Sequence, residues 1–376
     1  MSRMNPVIVA CDMTTAYGEG IGACWDGLLS NTRAIRKVTR FSTQSFHSSK
    51  AGIVEGLQYK QDASLAVQLL EPLFRKHAAK IPPDALVILA TTVGEIDLLE
   101  RSVLEGTGNA ELSRPALLLD KVKGFAGLED DGMVISNACA SSSTAIGFAA
   151  GLIDSGNRDC VLVVAVDAVT EFVFSGFSSL MALDPDTAKP FDKNRAGLSL
   201  GEGAGFVLLM KRERAEKEGH SIMGEVAGWA VSEDANHMTG PSREGVGLRL
   251  SIQKALKKAG LPSGEVGAIS SHGTGTVYND SMEMKAYNAV FADRMVPIYS
   301  IKGALGHTMG AAGLIETVIA LEVLKKRIIP STVGLTDIDP EAAGWVSCEK
   351  RSLDKQVVLI NNAGFGGVNA SLVIKP

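Results

Sequence analysis

Apolar runs and amphipathic segments alternate along this chain, which is the pattern of helices packed on the faces of a sheet. In the first half, ALVILATT (85–92), DCVLVVAVDAV (159–169) and GFVLLMKRE (205–213) predict buried strands. Residues 63–80 have the periodicity of an amphipathic helix. A short first strand is expected at 6–10, and a helix over 23–29.

The second half repeats this alternation. An amphipathic helix is predicted at 248–261, a strand running into a glycine turn at 266–276, and a strand, turn and long apolar helix at 296–327. Residues 357–374 read as two strands joined by a glycine-rich hairpin. We place the boundary in RERAEKEGHS (212–221), a charged stretch that contains a glycine, so that the halves are 1–211 and 212–376.

Two segments have the same order of predicted elements. GMVISNACASSSTAIGFAAGLIDSG (132–156) and VPIYSIKGALGHTMGAAGLIETVIA (296–320) each predict a strand, a turn with reactive side chains, and a helix rich in alanine and glycine. Both helices are apolar on nearly all sides, so both should be buried, and their small residues allow close approach. The repeat predicts two similar halves that face each other.

Composition excludes several classes of protein. The 376 residues are 45% hydrophobic and 21% charged, as in an ordinary globular protein, and the net charge of −5 argues against a nucleic-acid or anionic-membrane surface. The five cysteines lack CxxC spacing, which indicates reduced thiols and no structural zinc site. The first apolar run is too short for a signal peptide or a membrane span, so we expect a cytoplasmic protein.

Cys139 stands where a buried strand gives way to a helix. The unpaired N–H groups and the dipole of a helix N-terminus stabilise a thiolate, a nucleophile suited to acyl transfer through a thioester. A small buried core residue is the alternative interpretation. The other cysteines, Cys11, Cys24, Cys160 and Cys348, have no such setting and are interpreted as structural.

His272 and His307 both lie in glycine-rich turns that follow apolar strands. A lone histidine in a turn is usually solvated, but two in matching positions favour a shared role. Neutral imidazoles that direct an N–H group into a dry cavity can stabilise negative charge on a carbonyl oxygen. The remaining four histidines, His47, His77, His220 and His237, have no comparable surroundings.

Lys302 precedes His307 by five residues and ends an apolar segment. It is either exposed at the turn or near buried groups, in which case it needs an acidic partner. Glu316, an acid within an apolar helix, is a plausible one. The GFGG turn (364–367) offers backbone N–H groups with little steric cover, although it is also explained as a hairpin.

Five motifs in order carry a resemblance. NACASSS with Cys139, KPFDKNRAGLSLGEGAGFVLL (189–209), HGTGT with His272, KGALGHTMGAAG with Lys302 and His307, and AGFGGVN (363–369) resemble an elongating β-ketoacyl–acyl carrier protein synthase of the thiolase superfamily. The resemblance extends over roughly residues 130–376. It implies a five-layered αβαβα fold of two similar halves, an acyl carrier protein as partner, and a homodimer with a cleft for the phosphopantetheine arm. A heterodimer with a related subunit is also possible.

The resemblance also implies an acyltransferase reaction that elongates a fatty acid or a related polyketide chain, without metal or organic cofactor. Cys139 would hold the acyl chain, while His272 and His307 bind the malonyl carbonyl and assist decarboxylation. Matching positions imply the remaining roles. Lys302 would orient the histidine site with support from Glu316, and the N–H groups of Cys139 and Phe365 would form an oxyanion hole. Phe365 would also act as a gate over the cysteine, Thr274 and Thr276 would contact pantetheine, and Phe177 would line the acyl site.

One segment departs from the family pattern. After HGTGT a proline and a glycine are usual, whereas this chain has Val277, Tyr278 and Asn279 before Asp280 and Glu283. The loop near the pantetheine entrance is therefore expected to differ. Acyl chain length and the identity of the carrier protein stay open.

Alternatives come from other classes. A non-catalytic partner that shapes chain length in a heterodimer resembles a synthase without its cysteine, whereas Cys139 is present. Thiolases resemble this chain but bring a second cysteine near the last glycine turn, and initiating synthases resemble a Cys–His–Asn arrangement. TAYGEGIG (15–22) with NNAG (361–364) mimics a short-chain oxidoreductase that binds NAD(P), but no Tyr-x-x-x-Lys pair accompanies them.

Overall fold

The computed structural model describes residues 6–61, 63–107, 109–129, 131–292 and 294–376. Within these residues the chain forms sixteen strands and eleven α-helices. The strands are β1 (Pro6–Thr15), β2 (Gly18–Glu19), β3 (Arg36–Lys37), β4 (Lys50–Gly52), β5 (Leu86–Ala90), β6 (Gly132–Ile135), β7 (Cys160–Asp167), β8 (Leu200–Gly201), β9 (Gly203–Lys211), β10 (Gly224–Glu233), β11 (Ala268–Ser270), β12 (Ile298–Tyr299), β13 (Ile328–Ile329), β14 (Arg351–Ser352), β15 (Val358–Gly364) and β16 (Val368–Lys375).

The helices connect these strands and cover the faces of the main sheet. They are α1 (Ile21–Leu29), α2 (Leu65–His77), α3 (Ile96–Glu105), α4 (Pro115–Ala126), α5 (Ser141–Asp154), α6 (Glu171–Ser179), α7 (Arg212–Lys217), α8 (Val246–Ala259), α9 (Val277–Phe291), α10 (Lys302–Leu305) and α11 (Ala312–Lys326). No helix among the described residues combines the length and the apolar character that crossing a membrane requires.

The main sheet contains the same strand order twice. Its hydrogen-bonded path runs β12-β11-β15-β16-β10-β1-β9-β7-β5-β6. Read outward from the centre, β1-β9-β7-β5-β6 and β10-β16-β15-β11-β12 have the same sequence of antiparallel and parallel pairs. The halves meet where β1 pairs with β10, with Val7 opposite Glu225. The prediction of two similar halves is confirmed.

Five layers follow from where the helices pack. On one outer face, α2 and α4 pack with the first half-sheet in an apolar cluster that includes Leu69 and Leu118. On the other outer face, α8 and α9 pack with the second half-sheet. Between the half-sheets lie α5 and α11, which contact each other in a third cluster with Ile146 and Ile319. The predicted αβαβα fold is confirmed.

Small side chains let the two central helices approach. At Gly313 of α11, the side chain of Ser143 from α5 occupies the space where a Cβ would be. The hydroxyl of Ser142 on α5 accepts a hydrogen bond from the N–H group of Leu314, 2.9 Å away. All residues from Ala312 to Leu324 of α11 are buried, as the sequence predicted. On α5 the prediction holds less completely, because Phe148 is 45% exposed.

Several strands are shorter than their apolar runs. The order predicted over 266–276 and 296–327, a strand followed by a turn, is present, and the strands β11 and β12 have three and two residues. In both places the chain leaves the sheet early and forms a turn with a buried histidine. The boundary region predicted at 212–221 contains the short helix α7 between β9 and β10.

We expect Gly313→Ala to destabilise the protein because the new Cβ would lie 2.1 Å from the Ser143 hydroxyl and 2.6 Å from the Asn362 amide oxygen. Overpacking of a buried contact costs about 1–3 kcal/mol of unfolding free energy. Urea unfolding followed by circular dichroism measures the change.

Gly124→Ala is the matched control, since no atom lies within 4 Å of the corresponding position near the end of α4. Replacing a glycine within a helix by alanine is expected to stabilise by roughly 0.5–1 kcal/mol. Equal stabilities of the two variants would contradict the close contact between α5 and α11.

Candidate active site

Cys139 lies in a strained turn between β6 and α5. The preceding residue, Ala138, has φ of +47°, in the left-handed region that side chains with a Cβ rarely adopt. Ser141 holds this turn in place: its hydroxyl accepts from the N–H of Asn137 at 2.8 Å and donates to the carbonyl of Ala138 at 2.6 Å. Backbone strain that the surroundings enforce is common at functional sites.

The thiol of Cys139 is buried, with 7% of the residue exposed. Burial raises the pKa of this thiol to about 12, and the charge of Asp167 raises it as well. The charge of Lys302 opposes this shift most strongly, followed by the backbone N–H groups of Phe365 and of Cys139 itself. The sequence argument considered the helix N-terminus without the burial, and burial has the larger effect on the pKa of this thiol.

His272 and His307 form a buried pair. His272 follows β11, His307 follows α10, and their ring centroids are 5.1 Å apart with the planes at 88°. Burial lowers the pKa of both rings well below 6.5, and the charge of Lys302 lowers it further. Both imidazoles are therefore neutral near pH 7. Within the described part of the chain, Nδ1 of His272 and both ring nitrogens of His307 have no hydrogen-bond partner.

The His272 turn is fixed from α9. The carboxylate of Glu283 accepts hydrogen bonds from the N–H groups of His272 and Gly273, both at 2.7 Å. One turn earlier on α9, Asp280 accepts from the N–H of Gly275 at 3.2 Å. The HGTGT segment thus depends on two buried acids of the helix that follows it.

The His307 turn is fixed by β8. The N–H of His307 donates to the carbonyl of Ser199 at 2.7 Å, and the N–H of Gly201 donates to the carbonyl of His307 at 2.9 Å. A side chain at Gly201 would approach the carbonyl oxygen of Leu305 to 2.4 Å. The GLSLGEGAG segment therefore needs its glycine at 201 to seat the second histidine.

Lys302 and Glu316 form a buried ion pair, each 1% exposed. Of the two alternatives for Lys302, the structure shows the paired one. The amide of Asn362 donates to the other oxygen of Glu316 at 2.7 Å, and its carbonyl accepts from the hydroxyl of Ser143. This relay connects the lysine behind the histidines to α5, the helix that follows Cys139.

Asp167 was not among the predicted residues. Its buried carboxylate accepts from the N–H of Thr92 at 3.0 Å and from the N–H of Gly310 at 2.7 Å, and it raises the pKa of Cys139. It thereby ties the first half to the turn after His307. An acid at the carboxyl end of the apolar strand DCVLVVAVDAV was the signal that could have revealed it.

One cavity of about 500 Å³ brings most of the predicted residues together. The ring of Phe177 stacks on that of Phe365, with centroids 5.6 Å apart. Lys302 and Glu316 are not part of the lining and lie buried next to it. His237, which was not among the predicted site residues, also contributes to the lining. The predicted residues that line the cavity are Cys139, Phe177, His272, Thr274, Thr276, His307 and Phe365.

The mouth of the cavity carries the segment that departs from the family pattern. Val277 and Tyr278 begin α9 and are 52% and 71% exposed, while Asn279 is buried. The hydroxyl groups of Thr274 and Thr276 lie 3.1 Å apart beside them. The entrance therefore combines two hydroxyl groups with an apolar rim.

A cysteine after a strained turn, opposite two neutral histidines in a doubled αβαβα fold, defines a thiolase-like enzyme class. Within it, the model of the β-ketoacyl synthase N-terminal domain matches residues 122–215, and that of the C-terminal domain matches residues 223–336. The chain belongs to the β-ketoacyl synthase family. The short-chain oxidoreductase hypothesis is thereby set aside.

Relatives support the same family. The 3-oxoacyl-[acyl-carrier-protein] synthase 2 of Vibrio cholerae serotype O1 is 30% identical, over the full length of both chains. The ishigamide ketosynthase/chain length factor is 29% identical, with a TM-score of 0.88 over 100% of this chain and 99% of the other. A β-ketoacyl synthase from Burkholderia phymatum STM815 is 27% identical, with a TM-score of 0.86 over 99% of each chain.

We expect Lys302→Met to destabilise the fold by about 3–5 kcal/mol, because it leaves a buried carboxylate without its cation. The matched variant is Lys302→Met combined with Glu316→Gln, which removes both charges and should recover most of the loss. Burial already raises the pKa of Glu316 above 4.5, and losing the lysine raises it further.

The deficit of the single variant should depend on pH. A carboxyl whose folded-state pKa is raised stabilises the fold below its unfolded pKa, and this contribution is lost as pH rises through the raised value. Unfolding free energies measured between pH 5 and pH 8 should therefore show the deficit growing with pH for Lys302→Met but not for the double variant. A constant deficit would contradict the ion pair as its cause.

Proposed function

We propose that this protein is a 3-oxoacyl-[acyl carrier protein] synthase, an acyltransferase that elongates a fatty acid or a related polyketide chain. It joins a Cys139-bound acyl chain to the malonyl group of an acyl carrier protein, with release of CO₂. The observation that carries the proposal is the placement of one buried thiol and two neutral histidines on a single cavity. The named activity of the 30% identical Vibrio cholerae relative supports it.

In the first half-reaction, the sulfur of Cys139 attacks the thioester carbonyl of the acyl carrier protein. A new thioester forms on Cys139, and the thiol of phosphopantetheine leaves with the proton that the cysteine gives up. The backbone N–H groups of Cys139 and Phe365 lower the pKa of the thiol, which supports a position close to the sulfur. We assign the oxyanion hole to these two donors, which meet the carbonyl oxygen once the acyl group is attached.

In the second half-reaction, the malonyl group loses CO₂ and the electron pair moves into an enolate. His272 and His307 stabilise the enolate oxygen as neutral donors, because burial and Lys302 keep both rings uncharged. The enolate carbon then attacks the acyl carbonyl on Cys139, and the cysteine thiolate leaves and is reprotonated. Lys302 and Glu316 hold the histidine site, and neither reaches the cavity lining.

The substrates arrive on the phosphopantetheine arm of the carrier protein, and the proposed steps need no further cofactor. Thr274 and Thr276 offer hydroxyl groups to the amide-rich arm at the mouth of the cavity. Phe365, stacked on Phe177, is the proposed gate over the thiol, and Phe177 borders the acyl group. Such an arm places its terminal thioester beside Cys139.

We further propose a homodimer formed through β6. This strand ends the main sheet and pairs with β5 alone among the described strands. Its residues Met133, Val134 and Ile135 are half-buried and apolar, and an apolar sheet edge is a template for pairing with another chain. The exposed Phe148 of α5, the helix that follows β6, extends this face. A related subunit could take the same place in a heterodimer.

The doubled strand order supports two units, 1–211 and 212–376, each of which contributes one side of the active site. The first supplies Cys139, and the second supplies His272, Lys302 and His307. The free state of all five cysteines is compatible with a cytoplasmic location.

A chain-length-shaping partner without activity is the second candidate, since one relative is a ketosynthase/chain length factor. The complete set of Cys139, both histidines and Lys302 favours the active synthase. Acyl transfer to Cys139 separates the two candidates.

We expect incubation with acyl carrier protein bearing an acyl chain to add one acyl mass to the wild-type protein and none to Cys139→Ala. Intact-protein mass spectrometry detects the thioester, and a panel of acyl chains identifies the preferred length. Cys348→Ala is the control, because this thiol is exposed and away from the cavity, and it should load normally. Loading of Cys139→Ala would contradict the nucleophile, and an unloaded wild type would favour the inactive partner.

We expect His272→Ala and His307→Ala each to slow CO₂ release from malonyl carrier protein by roughly 10²–10³-fold, the effect of removing one oxyanion donor. Both variants should still load an acyl group onto Cys139, because this step uses other donors. His220→Ala, which changes a histidine paired with Glu218 away from the cavity, serves as the control. Normal CO₂ release by both active-site variants would overturn the assigned role.

A further inference from the structure

Glu283 is completely buried, and its carboxylate accepts hydrogen bonds from four donors. One carboxylate oxygen accepts from the N–H of His272 and from the hydroxyl of Tyr287, both at 2.7 Å. The other accepts from the N–H of Gly273 at 2.7 Å and from the side-chain amide of Asn279 at 2.9 Å. Each oxygen thus holds one backbone group of the His272 turn and is itself held by one side chain of α9.

Tyr287 is in turn directed by groups behind it. The amide of Asn361 on β15 donates to the tyrosine hydroxyl at 3.3 Å, so the hydroxyl proton points to Glu283. Ser371 on β16 donates to the carbonyl of Asn361 at 2.7 Å, and the hydroxyl of Ser251 on α8 lies 2.7 Å from that of Ser371. A continuous buried chain of hydrogen bonds therefore runs from α8 through the sheet to the carboxylate.

We propose that Tyr287 is a positioning residue for His272: its hydroxyl keeps Glu283 ionised as the double acceptor that fixes the His272–Gly273 backbone. The inference rests on the proposed decarboxylation role of His272. Asn279, from the segment in which this chain departs from the family pattern, supports the second oxygen in the same way.

Glu283 needs these hydrogen-bond donors because its carboxyl is buried and lies near another acid. Burial raises the pKa of Glu283 to about 7, and the charge of Asp280 adds to the shift, while the bonds from Gly273, Tyr287 and His272 oppose it. A protonated carboxyl carries a hydrogen on one oxygen and cannot accept from all four donors. Protonation would therefore release part of the His272 turn.

Charged and titratable groups face this unit from each neighbouring element. Asp280 shares α9 with Glu283, and Arg195 lies beside Asp280 at 3.8 Å. His272 stands on the turn after β11, and its pKa is lowered by burial, so it stays neutral across the relevant range. Glu316 of α11 acts on Tyr287, whose own pKa burial raises well above 10. Burial raises the pKa of Asp280 as well, so variants of Glu283 itself assign the titration to this carboxyl.

Tyr287 also packs against Trp345, with ring centroids 6.4 Å apart. If Tyr287 were only structural, its role would be the packing of its ring, and loss of the hydroxyl would lower activity equally at every pH. Tyr287→Phe keeps the ring and removes the donor, so the pH profile distinguishes the two roles.

The experiment measures CO₂ release from malonyl carrier protein between pH 5.5 and pH 9. For Tyr287→Phe we expect the acid limb of the profile to move up by roughly one pH unit, the size of one hydrogen bond to a charged group. Activity near pH 6.5 should then fall several-fold and approach that of the wild type at pH 9, where Glu283 is ionised in both proteins. Acyl loading of Cys139 should be unchanged at every pH, which also shows that the variant is folded.

Tyr299→Phe is the matched control: this tyrosine on β12 is also fully buried, and its hydroxyl has no hydrogen-bond partner among the described residues. Its profile should follow the wild type. Glu283→Gln removes the titrating group, so its acid limb should disappear, and adding Tyr287→Phe to it should introduce no further pH dependence.

The outcomes separate the two levels of inference. A wild type that releases no CO₂ would overturn the proposed function and this role together. Normal CO₂ release that depends on His272, with a Tyr287→Phe profile that matches the wild type or falls evenly at all pH values, would overturn the role of Tyr287 alone. A shifted limb that persists in the Glu283→Gln background would also overturn it.

Discussion

The ion pair of Lys302 with Glu316 is the interaction on which the site depends. Placing two charges in the interior is costly unless each is fully hydrogen-bonded, and here Asn362 satisfies the carboxylate while Ser143 satisfies Asn362. These hydrogen bonds bring α11, β15 and α5 into contact around the ion pair. The same contacts that make the buried charge tolerable therefore hold the two halves of the active site at a fixed distance.

Burial acts on the titratable groups in opposite directions. It keeps the histidines neutral, which is the state that the proposed donation to an enolate requires. It also keeps the thiol of Cys139 protonated, and the positive charge of Lys302 opposes this shift. One cation thus lowers the pKa of the two imidazoles and of the thiol alike.

Much of this arrangement could be predicted because the signals are local. An apolar strand followed by a glycine turn with a cysteine or a histidine is visible in a short window, and so is a lysine whose apolar surroundings call for an acid. The contribution of Asn362 depends on a contact with Ser143 across 219 residues, which no window contains. The serines after Cys139 likewise could not be assigned a role from the sequence, because their hydrogen-bond partners lie on the turn, on α11 and on β15. The ends of β11 and β12 could not be predicted, because the turns that follow them are buried like the strands.

The central position of β1 has a consequence for how the chain folds. Its neighbours in the main sheet are β9 and β10, so β1 pairs with residues about two hundred positions later in the chain. Pairing over such a separation is slow, and an unpaired apolar strand is prone to aggregation while it waits. The helix α2 contacts β1 and precedes β9 in the chain, so packing against α2 can cover part of this strand before its partners are made. The strand that joins the two halves is thus also the strand whose neighbours in the main sheet lie farthest from it along the chain.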